Sequence, residues 1–111
     1  MINGRIDSVW DRGAFGTITE EEQELYIATM KRLLATDFRY LLLVVEYDQS
    51  KWDGVPFSQP EEKVRRYYNW ANVEKLRTWT PEHKKLYQSH MKNQVLEVKE
   101  TTYLLTPPKK N

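Results

Sequence analysis

Apolar and polar residues alternate along Ile6-Asp7-Ser8-Val9-Trp10, the period-two pattern of a short strand over residues 5–10. A turn holding Gly13 and Gly16 follows over residues 11–18. Thr19-Glu20-Glu21-Glu22 then has the form of a capping box: the threonine side chain accepts from the amide three residues on, and Glu22 reaches back. Ile18 stands where a hydrophobic staple would. Three glutamates in one turn also suit the positive end of a helix dipole, which makes them helix-start residues rather than catalytic acids. Leu25, Tyr26, Thr29, Met30, Leu33 and Leu34 recur at helical spacing and predict a helix over 20–34 with one buried face, ended by Ala35-Thr36-Asp37.

The period then changes. Tyr40-Leu41-Leu42-Leu43-Val44-Val45-Glu46-Tyr47 is apolar almost throughout, as in a strand buried on both faces of a parallel sheet. Residues 5–47 therefore read as one βαβ unit with a right-handed crossover. Its carboxyl ends place Glu46, Tyr47 and Asp48 on the same rim as Asp11 and Arg12. Residues 49–58 form a loop by their Gly and Pro punctuation. Residues 60–68 read as a short helix, 72–77 as a third strand, and 80–91 as a further helical stretch with Pro81 at its first position. The final strand, 95–105, alternates in its first half, which suggests an antiparallel strand near the sheet edge. Residues 107–111 form a frayed tail to what reads as a single α/β domain, or a partial one, over residues 1–111.

Composition narrows the function. A formal charge of +1 gives no global field drawing the chain to nucleic acid or membrane. With no cysteine, disulfides, thiolate zinc sites and a cysteine nucleophile are excluded. The longest apolar run, Tyr40 to Val45, is far short of the ~20 residues of a membrane helix. The first residues lack signal-peptide character, and the expectation is a cytoplasmic protein.

Candidate chemistry concentrates at Trp10-Asp11-Arg12-Gly13. Ligands of open α/β sheets bind beyond the carboxyl ends of the strands. Arg12 offers a planar fork of donors, and Gly13 permits a sharp turn or close approach. The plain alternative is a turn whose Asp and Arg only pair with each other. In the loop, Trp52 and Phe57 either form an aromatic lid over the strand ends or simply pack onto the core. Lys63, Arg65, Arg66, Tyr67, Tyr68, Trp70, Lys75, Arg77 and Trp79 interleave bases with aromatics, as single-stranded nucleic-acid sites do. Glu61, Glu62 and Glu74 among them favour an amphipathic surface with snorkelling bases, so no nucleic-acid partner is expected. His83 and His90 lack a third metal ligand. No nucleophile elbow, Walker loop or dinucleotide fingerprint occurs.

The run Ile6 to Ala14 nevertheless resembles the fourth-strand segment of the thiopurine S-methyltransferase family. In order after it, Tyr26-Ile27-Ala28-Thr29-Met30, Phe38-Arg39-Tyr40-Leu41-Leu42, Tyr47-Asp48, Gly54-Val55-Pro56-Phe57 and Tyr103-Leu104-Leu105-Thr106 resemble its later segments. The family is a class I S-adenosylmethionine-dependent methyltransferase with a seven-stranded Rossmann-like sheet whose last strand is antiparallel. The resemblance implies the C-terminal half of such a sheet: about four strands, mostly parallel with an antiparallel last strand, flanked by helices. The glycine-containing cofactor loop, the ribose-holding acid and a covering aromatic belong to the family's N-terminal part, which has no counterpart here.

By the same resemblance, Arg12 matches the arginine at the cofactor–substrate junction and Asp11 its neighbour, so both are expected to bind the cofactor, and Arg12 with Gly54, Pro56 and Phe57 of the loop flanking the thiopurine pocket is expected to bind the substrate. Val55 departs from a second proline. A second substrate-side arginine falls on Ser89, beside His90, and is thereby missing. The implied reaction moves the methyl group of S-adenosylmethionine to a thiol or thiopurine sulfur, with positioning supplying most of the rate. The expectation for this chain by itself is inactivity. An alternative of a different class is a non-catalytic module that self-associates through the unpaired strand 5–10, since an open strand edge is a template for another chain.

Overall fold

The computed structural model of the chain describes residues 4–51, 55–80 and 98–108. Strand β1 (Ile6–Asp11) leads through a short 3-10 turn (Phe15–Thr17) into helix α1 (Glu20–Leu33). Strand β2 (Leu34–Glu46), helix α2 (Glu61–Tyr67), strand β3 (Asn72–Trp79) and strand β4 (Lys99–Thr106) follow. The capping box at the start of α1 is formed as expected: Glu22 N donates to Thr19 Oγ1 at 3.2 Å, and Thr19 N to Glu22 Oε1 at 2.9 Å. These bonds hold the Glu22 carboxyl below its usual range, the backbone bond contributing most.

The four strands form one sheet in the order β1-β2-β4-β3. β1 is parallel to β2, and β4 is antiparallel to both β2 and β3. Three strands therefore run one way and the last alone opposes them, the α/β pattern expected. The expected edge position of the last strand is corrected, because β4 lies inside the sheet. In its second half Thr101 is buried, and its hydroxyl meets that of Thr78 on β3 at 3.1 Å.

Two boundaries also move. No loop separates α1 from β2: Leu34 caps the helix, its amide bonding to Met30 O, and is already in the strand. Gly4 passes so close to this junction that a Cβ there would collide with the Leu33 carbonyl. The buried face of α1 runs through Gln23 and Ile27, with Tyr26 and Met30 beside it, while Leu25 and Leu33 are exposed. Counting only apolar residues hid this stripe, because Gln23 is part of it.

Phe38, Tyr40, Leu42 and Val44 point from β2 into the core, where Tyr103 and Leu105 of β4 join them. Ile27 of α1 and Val64 of α2 pack onto the same cluster, so both helices cover one face. On the other face Val45 is buried while Leu41 and Leu43 are only partly so, which limits the expected burial on both sides to the end of the strand. Among the described residues no helix is long and apolar enough to cross a membrane. The expected helix over 80–91 and the start of the last strand, residues 95–97, lie outside the described residues apart from Thr80, which is not helical.

Candidate functional site

The turn after β1 is built on one carboxylate. Asp11 is 4% exposed, and its Oδ1 accepts from the amides of Gly13 (3.2 Å), Ala14 (2.9 Å) and Phe15 (3.4 Å). Its Oδ2 accepts from the Tyr26 hydroxyl at 2.8 Å and lies 3.4 Å from that of Tyr40. The Tyr40 hydroxyl in turn sits 3.2 Å from that of Tyr68. A carboxylate with every lone pair engaged fixes the backbone that follows it. Burial pushes the Tyr26, Tyr40 and Tyr68 hydroxyls well above the ordinary tyrosine range; the Asp11 charge adds to it, while the bond with Tyr26 partly offsets the rise at Tyr40 and the bond with Tyr40 that at Tyr68.

Arg12 takes no part in this network. It is exposed, and no side chain among the described residues pairs with its guanidinium. The alternative in which Asp11 and Arg12 simply pair with each other is therefore not what the structure contains. One residue anchors the turn and the other is left to face outward.

The segment after β2 returns to the same rim. Phe57 N donates to Gly16 O at 2.7 Å, and Gln59 N to Val45 O at 2.8 Å, so residues 57–59 lie against both the first turn and the end of β2. Side chains complete the lacing. Tyr47 N donates to Ser58 Oγ at 2.9 Å, Ser58 N to Gln49 Oε1 at 2.7 Å, and the Tyr47 hydroxyl to Pro56 O at 2.6 Å. Of the residues singled out in the sequence, Asp11, Arg12, Pro56 and Phe57 thus come to one end of the sheet. Gly54 and Trp52, like Ser89 and His90, lie outside the described residues.

Between the first turn of α1 and residues 57–63 lies a cleft of about 600 Å3, lined in part by Ile18, Gln23, Tyr47, Phe57, Gln59 and Lys63. Burial lowers the pKa of the Lys63 ammonium, partly offset by the Glu20 carboxylate 3.7 Å away. Sequence reasoning did not bring Tyr26, Tyr40 and Tyr68 to the site: Tyr26 read as part of a helix face, Tyr40 as part of the buried strand and Tyr68 as part of the basic-aromatic stretch, while Gln23 and Gln59 were not singled out. Tyrosines at core positions near an acid are the one available signal, since a buried hydroxyl needs a partner. The basic-aromatic stretch is divided by the fold: Tyr68 is buried, Tyr67 and Trp70 pack against the core, and Arg65 and Lys75 both pair with Glu61.

The fit of S-adenosylmethionine can be judged from these donors. Arg12 can meet a carboxylate with a bidentate fork. Asp11 offers no free acceptor to a ligand. The described residues can hold one anionic end of such a cofactor and do not enclose it.

The thiopurine S-methyltransferase family profile matches residues 2–108. Thiopurine S-methyltransferase of Oryctolagus cuniculus is 36% identical over 66 residues, covering 60% of this chain and 27% of the relative. That of Lycaon pictus is 35% identical over 85 residues, covering 73% and 35%, and that of Panthera leo is 33% identical over the same length. The chain thus spans about a third of the length of these curated relatives. The chain belongs to the thiopurine S-methyltransferase family.

Proposed function

We propose that these residues form the substrate-side portion of an S-adenosylmethionine-dependent methyltransferase of thiopurine type, acting on a thiol or thiopurine sulfur. The observation that carries the reading is the exposed Arg12 guanidinium, unpaired among the described residues, on a turn that the buried Asp11 makes rigid. S-adenosylmethionine, when bound, supplies the methyl group. Arg12 stabilises the anionic heterocycle, and Pro56 and Phe57, laced to Tyr47 and Gly16, keep water from it. Asp11 acts at one remove, by positioning Arg12. A soft, ionised sulfur needs little general-base help, so orientation carries most of the rate.

Two measurements test this. A thiopurine anion titrated into the chain in a calorimeter should bind, and Arg12→Ala should weaken it about tenfold, the loss of one charged hydrogen-bonding partner. Equal binding by both proteins would remove Arg12 from the site. Incubation of these 111 residues alone with labelled S-adenosylmethionine and a thiopurine should give no product, and turnover would overturn the proposed inactivity.

A second reading rests on β1. Among the described residues it pairs with β2 alone, and it carries Trp10, which is 57% exposed, with Ile6 also exposed. Self-association by pairing of residues 5–10 across a two-fold axis is the interaction this edge supports. Light scattering at micromolar concentration decides it: a dimer mass is expected, and a monomer mass rules it out.

A further inference from the structure

Helices α1 and α2 cover the same face of the sheet and are bridged at one end, where Lys63 Nζ lies 3.7 Å from Glu20 Oε1. Beyond that bridge an open groove of about 440 Å3 lies between them, and it shares no lining residue with the cleft at the rim. Ile27 and Ala28 of α1 give it one apolar side, and Tyr67 and Trp70 line the other. Both aromatics pack against the core and stay only partly buried. Two cations stand over their rings: Lys31 Nζ is 5.9 Å from the centroid of Trp70, and Arg66 Cζ is 5.6 Å from that of Tyr67. Neither cation pairs with a carboxylate among the described residues. The contrast with the next residue is direct. Arg65 bonds to Glu61, four residues before it, at 2.9 Å, whereas Glu62 has the same spacing to Arg66 and the Arg66 guanidinium lies on a ring instead. A cation held on an aromatic face is positioned without being neutralised. Trp, Tyr and Arg are also the residue types that carry most of the binding energy at protein interfaces.

We propose that this groove docks an acidic amphipathic helix of a partner protein. The apolar side chains of that helix lie on Ile27, Ala28, Tyr67 and Trp70, and its carboxylates pair with Lys31 and Arg66. The dimensions agree: Glu24 to Lys31 is two turns of α1, about 10 Å, the reach of i, i+3, i+4 and i+7 anchors on a facing helix. Charge selects the partner. A basic helix would set like charges against Lys31 and Arg66. Glu24 is the one acid on the lining, two turns before Lys31, and it directs the partner's carboxylates to the two cations. Nucleic acid fits less well, because Ile27 and Ala28 give its phosphates no partner and the net charge of the chain is only +1. The surface requires neither Arg12 nor methyl transfer, so it stands or falls separately from the proposed activity.

The probes are fluorescein-labelled helical peptides with leucine at i, i+3, i+4 and i+7, one flanked by glutamates and one by lysines. Fluorescence anisotropy with the full chain should show saturable binding of the acidic peptide at micromolar concentration and none of the basic one. An equally acidic peptide with serine in place of its leucines should not bind. Lys31→Glu combined with Arg66→Glu should weaken the acidic peptide about tenfold or more, the loss of a charged pair, and should let the basic peptide bind instead. Both side chains are exposed, so this variant changes the surface and leaves the core as it was. Absence of binding by the acidic peptide overturns the proposal, as does equal binding of the acidic and basic peptides. Binding that survives the double substitution, or the loss of the leucines, overturns it too. Displacement of the peptide by a single-stranded oligonucleotide would assign the groove to nucleic acid and overturn it as well.

Discussion

Two segments leave the same end of the sheet and are held there by different means. The turn after β1 hangs on one buried charge: Asp11 gathers three amides and the hydroxyl of Tyr26, with the Tyr40 hydroxyl beside them. The segment after β2 is fastened differently. Ser58, Gln49 and Tyr47 fasten it with neutral hydrogen bonds, one atom pair at a time. A carboxylate without its partners is far more costly to bury than a hydroxyl or an amide. The first segment is thus rigid and intolerant of change, and the second is a sum of small, replaceable contacts. The difference suits the roles proposed for them: a fixed base for Arg12, and an adjustable wall carrying Phe57.

Asp11→Ala should break the comparison most severely. It leaves two hydroxyls and three amides without their acceptor, and a loss of about 3 kcal/mol or more is expected in urea unfolding. Alkaline pH attacks the same network from the tyrosine side. The folded-state values of Tyr26, Tyr40 and Tyr68 are raised above 10.0, chiefly by burial. Their contribution is therefore fully present below pH 10.0 and is lost as pH rises towards the folded-state values. Melting followed by circular dichroism from neutral to strongly alkaline buffer should show the temperature falling past that point, and Tyr40→Phe should flatten the fall. Ser58→Ala, in the neutral segment, should cost about 1 kcal/mol in the same unfolding assay. Arg12→Ala should change stability by no more than about 0.5 kcal/mol, because the side chain is exposed and pairs with nothing described. A large loss there would show that the guanidinium serves the fold.

Much of the architecture was legible along the chain. The Thr19–Glu22 capping box is a local pattern, and it is formed as written. The apolar run at 40–47 and the strand at 72–77 announced themselves by length and period. The helix–strand junction at Leu34 was not legible, because no Gly or Pro marks it. Nor was the place of β4, since the position of a strand within a sheet depends on partners distant in sequence. At the site, Asp11 and Arg12 stood out as a pair of charges beside a glycine. Their separation into an anchor and an outward-facing donor follows from Tyr26 and Tyr40, 15 and 29 residues away.

The sequence by itself determined the local elements, their order and the family, because capping, periodicity and ordered motifs act over a few residues. Only the tertiary structure decided which polar groups are used up and which remain. Asp11 is spent on its own turn and Arg12 is not. Gln23 and Gln59, ordinary polar residues in the chain, are buried only when α1 and the segment after β2 come together, and their amide nitrogens then bond to Phe15 O and Phe57 O. Burial and hydrogen-bond satisfaction are properties of neighbours, and neighbours are assigned by the fold.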